Sequence, residues 1–273
     1  MCSEQFTPEV EEGDEHEKLT ASVFQLVRQF YEFNRQIKAS HGWKHVHAVY
    51  GHACQAVACH LPSLSSETKM EILVSSLLHD VDDRKYFPNN SQYQNARKIL
   101  ADTNVSTRSS KNILYMISLV SCSENGNRVP DLISETEQYH LLIPRWSDRL
   151  EAVGKIGVVR CYQYNRENNF PLSSSKSPRA QSMEELWDLA TSERFEKYQE
   201  TGNSDDMISH YYDKLLHVAC PPKLIVRNSY LEQMAEKSAA ALVRVCLHFG
   251  KTGTVDEGYL IALSETLNNE VER

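Results

Sequence analysis

Apolar residues recur every three or four positions along most of this chain, which is the spacing of helices with one buried face. The second such stretch, at 46–57, ends before Leu61-Pro62, because proline disfavours the helical conformation in its predecessor. The third begins near Thr68, whose spacing to Glu71 permits a capping box. It is apolar on nearly all sides and predicts a central helix. The first stripe consists of Leu19, Val23, Leu26, Val27, Phe30, Phe33 and Ile37.

Further helical patterns extend almost to the end of the chain. One begins around Pro144 and continues past Gly157, and the segment 166–182 is too polar and broken to be a core element. We find no sustained alternation of apolar and polar residues, no fixed repeat and no glycine-rich phosphate-binding motif. The sequence therefore predicts an all-α protein of about nine to eleven helices. The remaining predicted helices lie at about 91–101, 108–121, 184–199, 204–219, 227–249 and 255–268.

The same patterns predict how the chain is organised. Residues 1–17 are acidic, contain few apolar groups and should form a flexible tail. A single domain is expected over 18–250, with a polar loop at 166–182, and a C-terminal helical extension over 251–273.

Composition narrows the class of protein. The 273 residues are 41% hydrophobic and 24% charged, a balance typical of globular proteins with a substantial core. There is no apolar stretch of membrane-spanning length, and we expect no signal peptide because the first residues lack its basic and apolar regions. The net charge of -8 would repel a nucleic-acid polymer. Seven cysteines without a C-x-x-C pair favour reduced, structural thiols and a cytoplasmic location.

Candidate chemistry is concentrated where the central helix ends. The apolar segment before His79 leads directly into His79-Asp80, followed by Asp83 and Lys85. Burying such groups is costly unless they are compensated, and a divalent ion would compensate them. Imidazole and carboxylate without thiolate favour manganese, magnesium or iron over zinc.

Two ligands do not hold a catalytic ion, so this interpretation requires another histidine and another carboxylate. Upstream, His41 and His45 are four residues apart and face the same side of a helix. Downstream, Asp148 lies in an otherwise apolar helical segment.

In this order, the motifs resemble those of the HD-domain metal-dependent phosphohydrolases. The branch they resemble most comprises small stand-alone, bacterial-type enzymes, including a manganese-dependent nucleoside triphosphate pyrophosphohydrolase. The resemblance covers roughly residues 20–250 and is carried by His41-x-Trp43-x-His45, His79-Asp80-Val81-x-Asp83-x-Lys85, Ser147-Asp148-Arg149-Leu150 and Ser209-His210-Tyr211-Tyr212-Asp213-Lys214.

The resemblance implies an HD-domain helical bundle with one divalent ion, manganese by preference, with magnesium, cobalt or iron as alternatives. The implied metal ligands are His45, His79, Asp80 and Asp148. It also implies that Asp83 orients or deprotonates the attacking water, while Asp82 points elsewhere. The implied contacts to a small nucleotide substrate are Lys85, which also serves in catalysis, together with Arg149, Lys214 and His41.

The expected reaction is hydrolysis of a nucleoside triphosphate, preferably a deoxynucleotide, to the monophosphate and pyrophosphate. A 5'-nucleotidase that cleaves phosphomonoesters is the alternative, and a non-catalytic nucleotide-sensing scaffold is the third hypothesis. A di-iron oxygenase of the same superfamily would need further histidines between the His-Asp pair and Asp148, where only His140 occurs. The resemblance is also consistent with a homodimer.

Overall fold

In the computed structural model, which describes residues 12–37, 41–90 and 92–271, every regular element is a helix. The all-α prediction is therefore confirmed. Within this part of the chain, no helix is both long enough and apolar enough to cross a membrane. The chain divides into two compact units, of which the first contains residues up to Val120 together with Ile143–Arg145, and the second contains Ser121–Leu142 and the chain from Trp146 onward.

The first unit is built around a central buried helix. Its helices are α1 (Glu12–Phe33), α2 (Trp43–Ala58), α3 (Ser66–Leu78), α4 (Gln94–Asp102) and α5 (Thr107–Ser118). Helix α3 contacts α1, α2 and α5, which explains why it is apolar on several sides. Val74, Leu77 and Leu78 are buried there, so the predicted central position of this helix is confirmed.

Three local predictions in the first unit need correction. Helix α1 begins at Glu12, inside the segment expected to be a tail, while residues 1–11 lie outside the described part of the chain. Phe33 is 83% exposed, and Tyr31 occupies the buried position because it continues the four-residue spacing of Val23 and Val27. Helix α3 is capped by Ser65, whose side chain accepts a hydrogen bond from the Thr68 amide, so Thr68 is not the cap.

The second unit contains more and shorter helices than its periodicity predicts. Two segments that are each predicted to form one helix contain two helices, separated at Gly154 and at 190–191. The one-turn helices have too few residues to show a helical period. Its elements are α6 (Cys122–Asn125), α7 (Asp131–Thr136), a 3-10 turn (Tyr139–Leu142), α8 (Ile143–Val153, whose first turn belongs to the first unit), α9 (Lys155–Glu167), α10 (Met183–Leu189), α11 (Ser192–Thr201), α12 (Met207–His210), a π-helical turn (Tyr211–Leu215), α13 (Leu216–Ala219), α14 (Lys223–Val226), α15 (Ser229–Thr252) and α16 (Glu257–Val271).

The predicted polar loop and C-terminal extension both pack within this second unit. Between α9 and α10, residues 168–182 form no helix, and the side chains of Arg179 and Gln181 donate hydrogen bonds to the Gly250 carbonyl of α15. Helix α16 packs against α9, where the Tyr162 hydroxyl donates to the Glu257 carboxylate at 2.7 Å. The segment expected to be an extension is thus part of this unit's core.

Candidate metal centre

The end of helix α3 places two adjacent candidate ligands at one point of the first unit. The helix ends at Leu78, and His79 is its C-terminal cap. The C-terminal end of a helix carries a partial negative charge and therefore favours a cation. His79 and Asp80 lie at this end, which is where the sequence predicts them to act together.

The tautomer of His79 is fixed by the backbone of its own helix. Its Nδ1 lies 2.8 Å from the Ser76 carbonyl oxygen, which can only accept a hydrogen bond, so Nδ1 carries the proton. The side chain is fully buried. When the ring is neutral, the other nitrogen, Nε2, therefore carries the lone pair, which is the arrangement typical of metal-binding histidines.

Helix α2 brings His45 to the same point. The Nε2 atoms of His45 and His79 are 3.2 Å apart, and each lies 3.5 Å from Oδ2 of Asp80. Burial of Val46 and Val49 against the core fixes the rotation of α2, which turns His45 towards α3 and leaves His47 exposed. Two imidazoles and one carboxylate thus converge, and this group contains no thiol.

These separations match the spacing of ligands around one ion. With bonds of about 2.1 Å, adjacent ligand atoms stand roughly 3.0 Å apart in an octahedral site and roughly 3.4 Å apart in a tetrahedral one. The observed distances of 3.2 and 3.5 Å lie at these values. The donor set of His45, His79 and Asp80 therefore fits a divalent ion that prefers nitrogen and oxygen.

The electrostatics of Asp80 favour its ionised form. Burial raises the pKa of this carboxyl, but the charge of His79 and hydrogen bonds from His41, His45 and His79 outweigh burial and hold the pKa well below its usual range. Asp80 is therefore a carboxylate at neutral pH, as a metal ligand must be.

A second group of side chains lies beside the first and shares Asp80 with it. Nδ1 of His41 is 3.5 Å from Asp80 Oδ2 and 4.0 Å from Asp83 Oδ2. The ammonium of Lys85 is 3.2 Å from His41 Nε2 and 3.9 Å from Asp83 Oδ2. The structure thus brings together the sequence-predicted residues of the first unit.

Asp82 has a different role from its two acidic neighbours. Its Oδ1 accepts hydrogen bonds from the Asn95 amide and the Asn90 side chain, and its Oδ2 accepts one from the Ala96 amide. These two amides belong to the first turn of α4, where helix N–H groups lack partners within the helix. Asp82 therefore anchors α4, in agreement with the expectation that it points elsewhere.

The remaining predicted site residues belong to the second unit. Asp148 and Arg149 lie in the part of α8 that follows Arg145. Arg149 is buried, its guanidinium donates hydrogen bonds to the Asn127 side chain and the Gly126 carbonyl, and it stacks on Trp146 at 4.7 Å. The metal-ligand role of Asp148 and the substrate-binding role of Arg149 stay predictions.

Lys214 lies in the π-helical turn of the second unit. Its ammonium is 5.2 Å from the centre of the Tyr198 ring, while its neighbour Asp213 pairs with Arg194 at 2.7 Å. Turns of this kind occur frequently at functional sites. Burial, with a contribution from the charge of Lys214, lowers the pKa of His210 to about 4, so His210 is neutral at pH 7.

Sequence reasoning missed Tyr31, which the structure places near the carboxylates of the first unit. Its hydroxyl is buried and has no hydrogen-bond partner among the residues that the structure describes. Burial raises the pKa of this phenol well above its usual value, and the charges of Asp80, Asp83 and Asp82 add to the shift. The apolar stripe predicted for this helix did not include Tyr31, and no sequence signal distinguishes it.

Comparison with known proteins finds similarity over most of the chain. No family model matches it. A structural-genomics crystal structure of a Lactobacillus plantarum protein is similar with a TM-score of 0.58 and 19% sequence identity, covering 85% of this chain and 95% of that one, which shows a shared fold. The uncharacterized protein L803 of Acanthamoeba polyphaga mimivirus is 36% identical over 236 residues, covering 82% of this chain and 93% of the relative. This chain therefore belongs to the same protein family as the mimivirus protein L803.

Proposed function

We propose that this protein is an HD-domain, divalent-metal-dependent phosphohydrolase of small nucleotides, acting in the cytoplasm. The observation that supports it best is the convergence of His45, His79 and Asp80 within 3.2–3.5 Å of one another, with the His79 lone pair directed by the Ser76 carbonyl. Two imidazole nitrogens and a carboxylate oxygen held so closely favour a positive charge among them.

The proposed ligands are His45, His79 and Asp80, with Asp148 as the fourth ligand that the sequence resemblance implies. Manganese is the proposed ion, because nitrogen and oxygen donors without thiolate suit it, and metal exchange tests magnesium, cobalt and iron. A divalent ion bound in such a site polarises a phosphoryl oxygen and lowers the pKa of a water molecule towards neutrality.

The protein's own groups then position the reactants. Asp83, held by the turn that follows Asp80, orients or deprotonates the water that attacks phosphorus. The water oxygen forms a bond to the α-phosphorus, and the bond from that phosphorus to the bridging oxygen of the β-phosphate breaks. Lys85, Arg149 and Lys214 are the proposed donors to the phosphate charge, with His41 as a further contact.

The proposed substrate is a nucleoside triphosphate, preferably a deoxynucleotide, and the products are the monophosphate and pyrophosphate. The acidic protein carries a net charge of -8, so its few site cations must supply the attraction for a polyphosphate. The exposed Lys85 ammonium, next to the metal-ligand cluster, is in position to do so.

The test is turnover by metal-stripped protein that is resupplied with manganese, magnesium, cobalt or iron. Deoxy- and ribonucleoside triphosphates and monophosphates are offered, and pyrophosphate and phosphate are quantified separately. We expect metal-dependent pyrophosphate release that is lost in His45→Ala and Asp80→Ala. His47→Ala, a change to an exposed histidine on the same helix, is the matched control and should retain activity.

The products separate the alternatives. Phosphate released from monophosphates, without pyrophosphate from triphosphates, would replace this proposal with a 5'-nucleotidase. Nucleotide binding without turnover under any of the four metals would indicate a sensing scaffold and refute the enzyme hypothesis.

A further inference from the structure

We propose that His41, Asp80 and Asp83 form a second divalent-cation site that shares Asp80 with the first, and that this site takes the cation accompanying a polyphosphate substrate. The inference rests on the proposed function, which it deepens by assigning the substrate's own metal ion a place. It makes Asp80 a carboxylate that bridges two ions. Paired ions about 3.5–4 Å apart are an established way of stabilising both the attacking and the leaving oxygens in phosphoryl transfer.

The geometry of the three side chains supports a cation between them. His41 Nδ1 lies 3.5 Å from Asp80 Oδ2 and 4.0 Å from Asp83 Oδ2, and one ligand atom from each residue lies within 4.8 Å of the others. Around an ion with bonds of about 2.1 Å, neighbouring ligand atoms stand roughly 3.0 Å apart and opposite ones roughly 4.2 Å apart. The distances from His41 fall within this interval. All three side chains are largely buried, with exposed fractions of 15–21%.

A positive charge already approaches this group. The Lys85 ammonium lies 3.2 Å from His41 Nε2 and 3.9 Å from Asp83 Oδ2. Because an ammonium can only donate, Nε2 of His41 accepts, and Nδ1 carries the proton that faces Asp80. An ion bound at Nδ1 would require the His41 proton to lie on Nε2 instead, and Nε2 could then no longer accept a hydrogen bond from Lys85. The Lys85 side chain is 65% exposed and can move aside.

Substrate charge provides an independent argument. A triphosphate brings several negative charges to a place where Asp80 and Asp83 already carry two. Like charges close together repel strongly where solvent is excluded, so Asp83 would oppose binding of the triphosphate unless a cation neutralises its carboxylate.

This arrangement separates the two roles of Asp83 in the proposed mechanism. A carboxylate bound to a cation is a weak base, so Asp83 would orient the attacking water, and the proton of that water would pass to a phosphate oxygen of the substrate and leave with the products. Lys85, once displaced from His41 and Asp83, would be available to the phosphate groups.

The test counts manganese ions bound to the full-length, metal-stripped protein by calorimetric titration and electron paramagnetic resonance. One series uses manganese alone and a second adds inorganic tripolyphosphate, which carries the substrate's charge without a nucleoside. We expect two ions per chain in both series, with tighter binding of the second ion when tripolyphosphate is present and a spectrum showing magnetic coupling between neighbouring ions. One ion per chain in both series would overturn the inference.

Three variants and a control give opposite expectations. Asp83→Asn and His41→Gln should each lower the affinity for the second ion by about tenfold or more and leave binding of the first intact, because each removes one ligand of the second. Lys85→Met should raise the affinity for the second ion about fivefold, because it removes a competing positive charge. His47→Gln should change neither ion.

The Lys85 variant keeps the test decisive if a ligand variant fails to fold. If Lys85 only contacts substrate, Lys85→Met should bind manganese with unchanged affinity in the series without tripolyphosphate, and this result would contradict the inference. Unchanged affinity for the second ion in folded Asp83→Asn would contradict it as well. Its failure differs from failure of the proposed function. Turnover with a single ion would refute the second site alone, whereas two coupled ions without turnover would refute the enzyme hypothesis alone.

Discussion

Replacing Asp82 with alanine should destabilise the first unit without removing the metal ligands beside it. Asp82 accepts hydrogen bonds from the Asn95 and Ala96 amides at 2.9 Å and from the Asn90 side chain at 2.8 Å. The residue preceding α4, Tyr93, has a left-handed backbone and gives no side-chain cap, so Asp82 supplies the cap from a distance.

The magnitude follows from these three contacts. Each hydrogen bond to a charged acceptor contributes about 1.5–3 kcal/mol, and water would replace some of them at the half-buried asparagines. The Ala96 residue is fully buried, so its amide would lose its partner without compensation. We expect Asp82→Ala to lower the free energy of unfolding by about 3–5 kcal/mol, and Asp82→Asn, which keeps one acceptor oxygen, by about half as much.

Urea denaturation followed by circular dichroism measures this change, which corresponds to a midpoint shift of roughly 2 M at a slope of about 2 kcal/mol/M. Hydrogen exchange at the Asn95 and Ala96 amides should accelerate in the variant. Asp102→Ala is the control, because Asp102 is exposed at the other end of α4 and its charge is unfavourable near a helix C-terminus.

A loss below about 1 kcal/mol in Asp82→Ala, with unchanged protection of both amides, would refute the reasoning. So would loss of the bound metal ion in a variant that remains folded, because the structure gives Asp82 partners in α4 and its preceding loop.

Two further predictions concern the second unit. Since the pKa of His210 is lowered to about 4, the folded state disfavours its protonation, and stability should fall by up to about 3 kcal/mol between pH 6.5 and 4. Urea unfolding at both pH values should show a smaller difference in His210→Gln, and an unchanged difference would contradict this cause. Gly250→Ala should destabilise by about 3 kcal/mol or more, because the added carbon would overlap the Ala180 carbonyl oxygen. Gly51→Ala, in α2 of the first unit, is the control: it has open space around it and should be neutral or stabilising by about 1 kcal/mol. Equal melting temperatures for the two variants would show that Gly250→Ala causes no clash.

The sequence was sufficient to predict the helical class and the central position of α3. Helical periodicity is a local property, so Val74, Leu77 and Leu78 reveal a buried helix without knowledge of its neighbours. Short elements such as α12 and α14 escaped the pattern, because four residues make little more than one turn.

The candidate ligands were recognised from their residue types and order along the chain. His79 and Asp80 lie side by side after an apolar helix, and His45 shares a helical face with His41, which are local facts. The motif resemblance adds Asp148, which the structure places in α8 of the second unit.

Sequence reasoning separated Asp82 from Asp83, but only the tertiary structure identified the partners of each. Asp82 and Asp83 are neighbours of the same type, yet one anchors α4 and the other faces His41, because α4 supplies amides to one side only. The burial of Arg149 and Tyr31 likewise depends on contacts with other segments of the chain. Sequence periodicity determines which elements form, whereas the partner of each polar group depends on contacts between elements far apart in the chain.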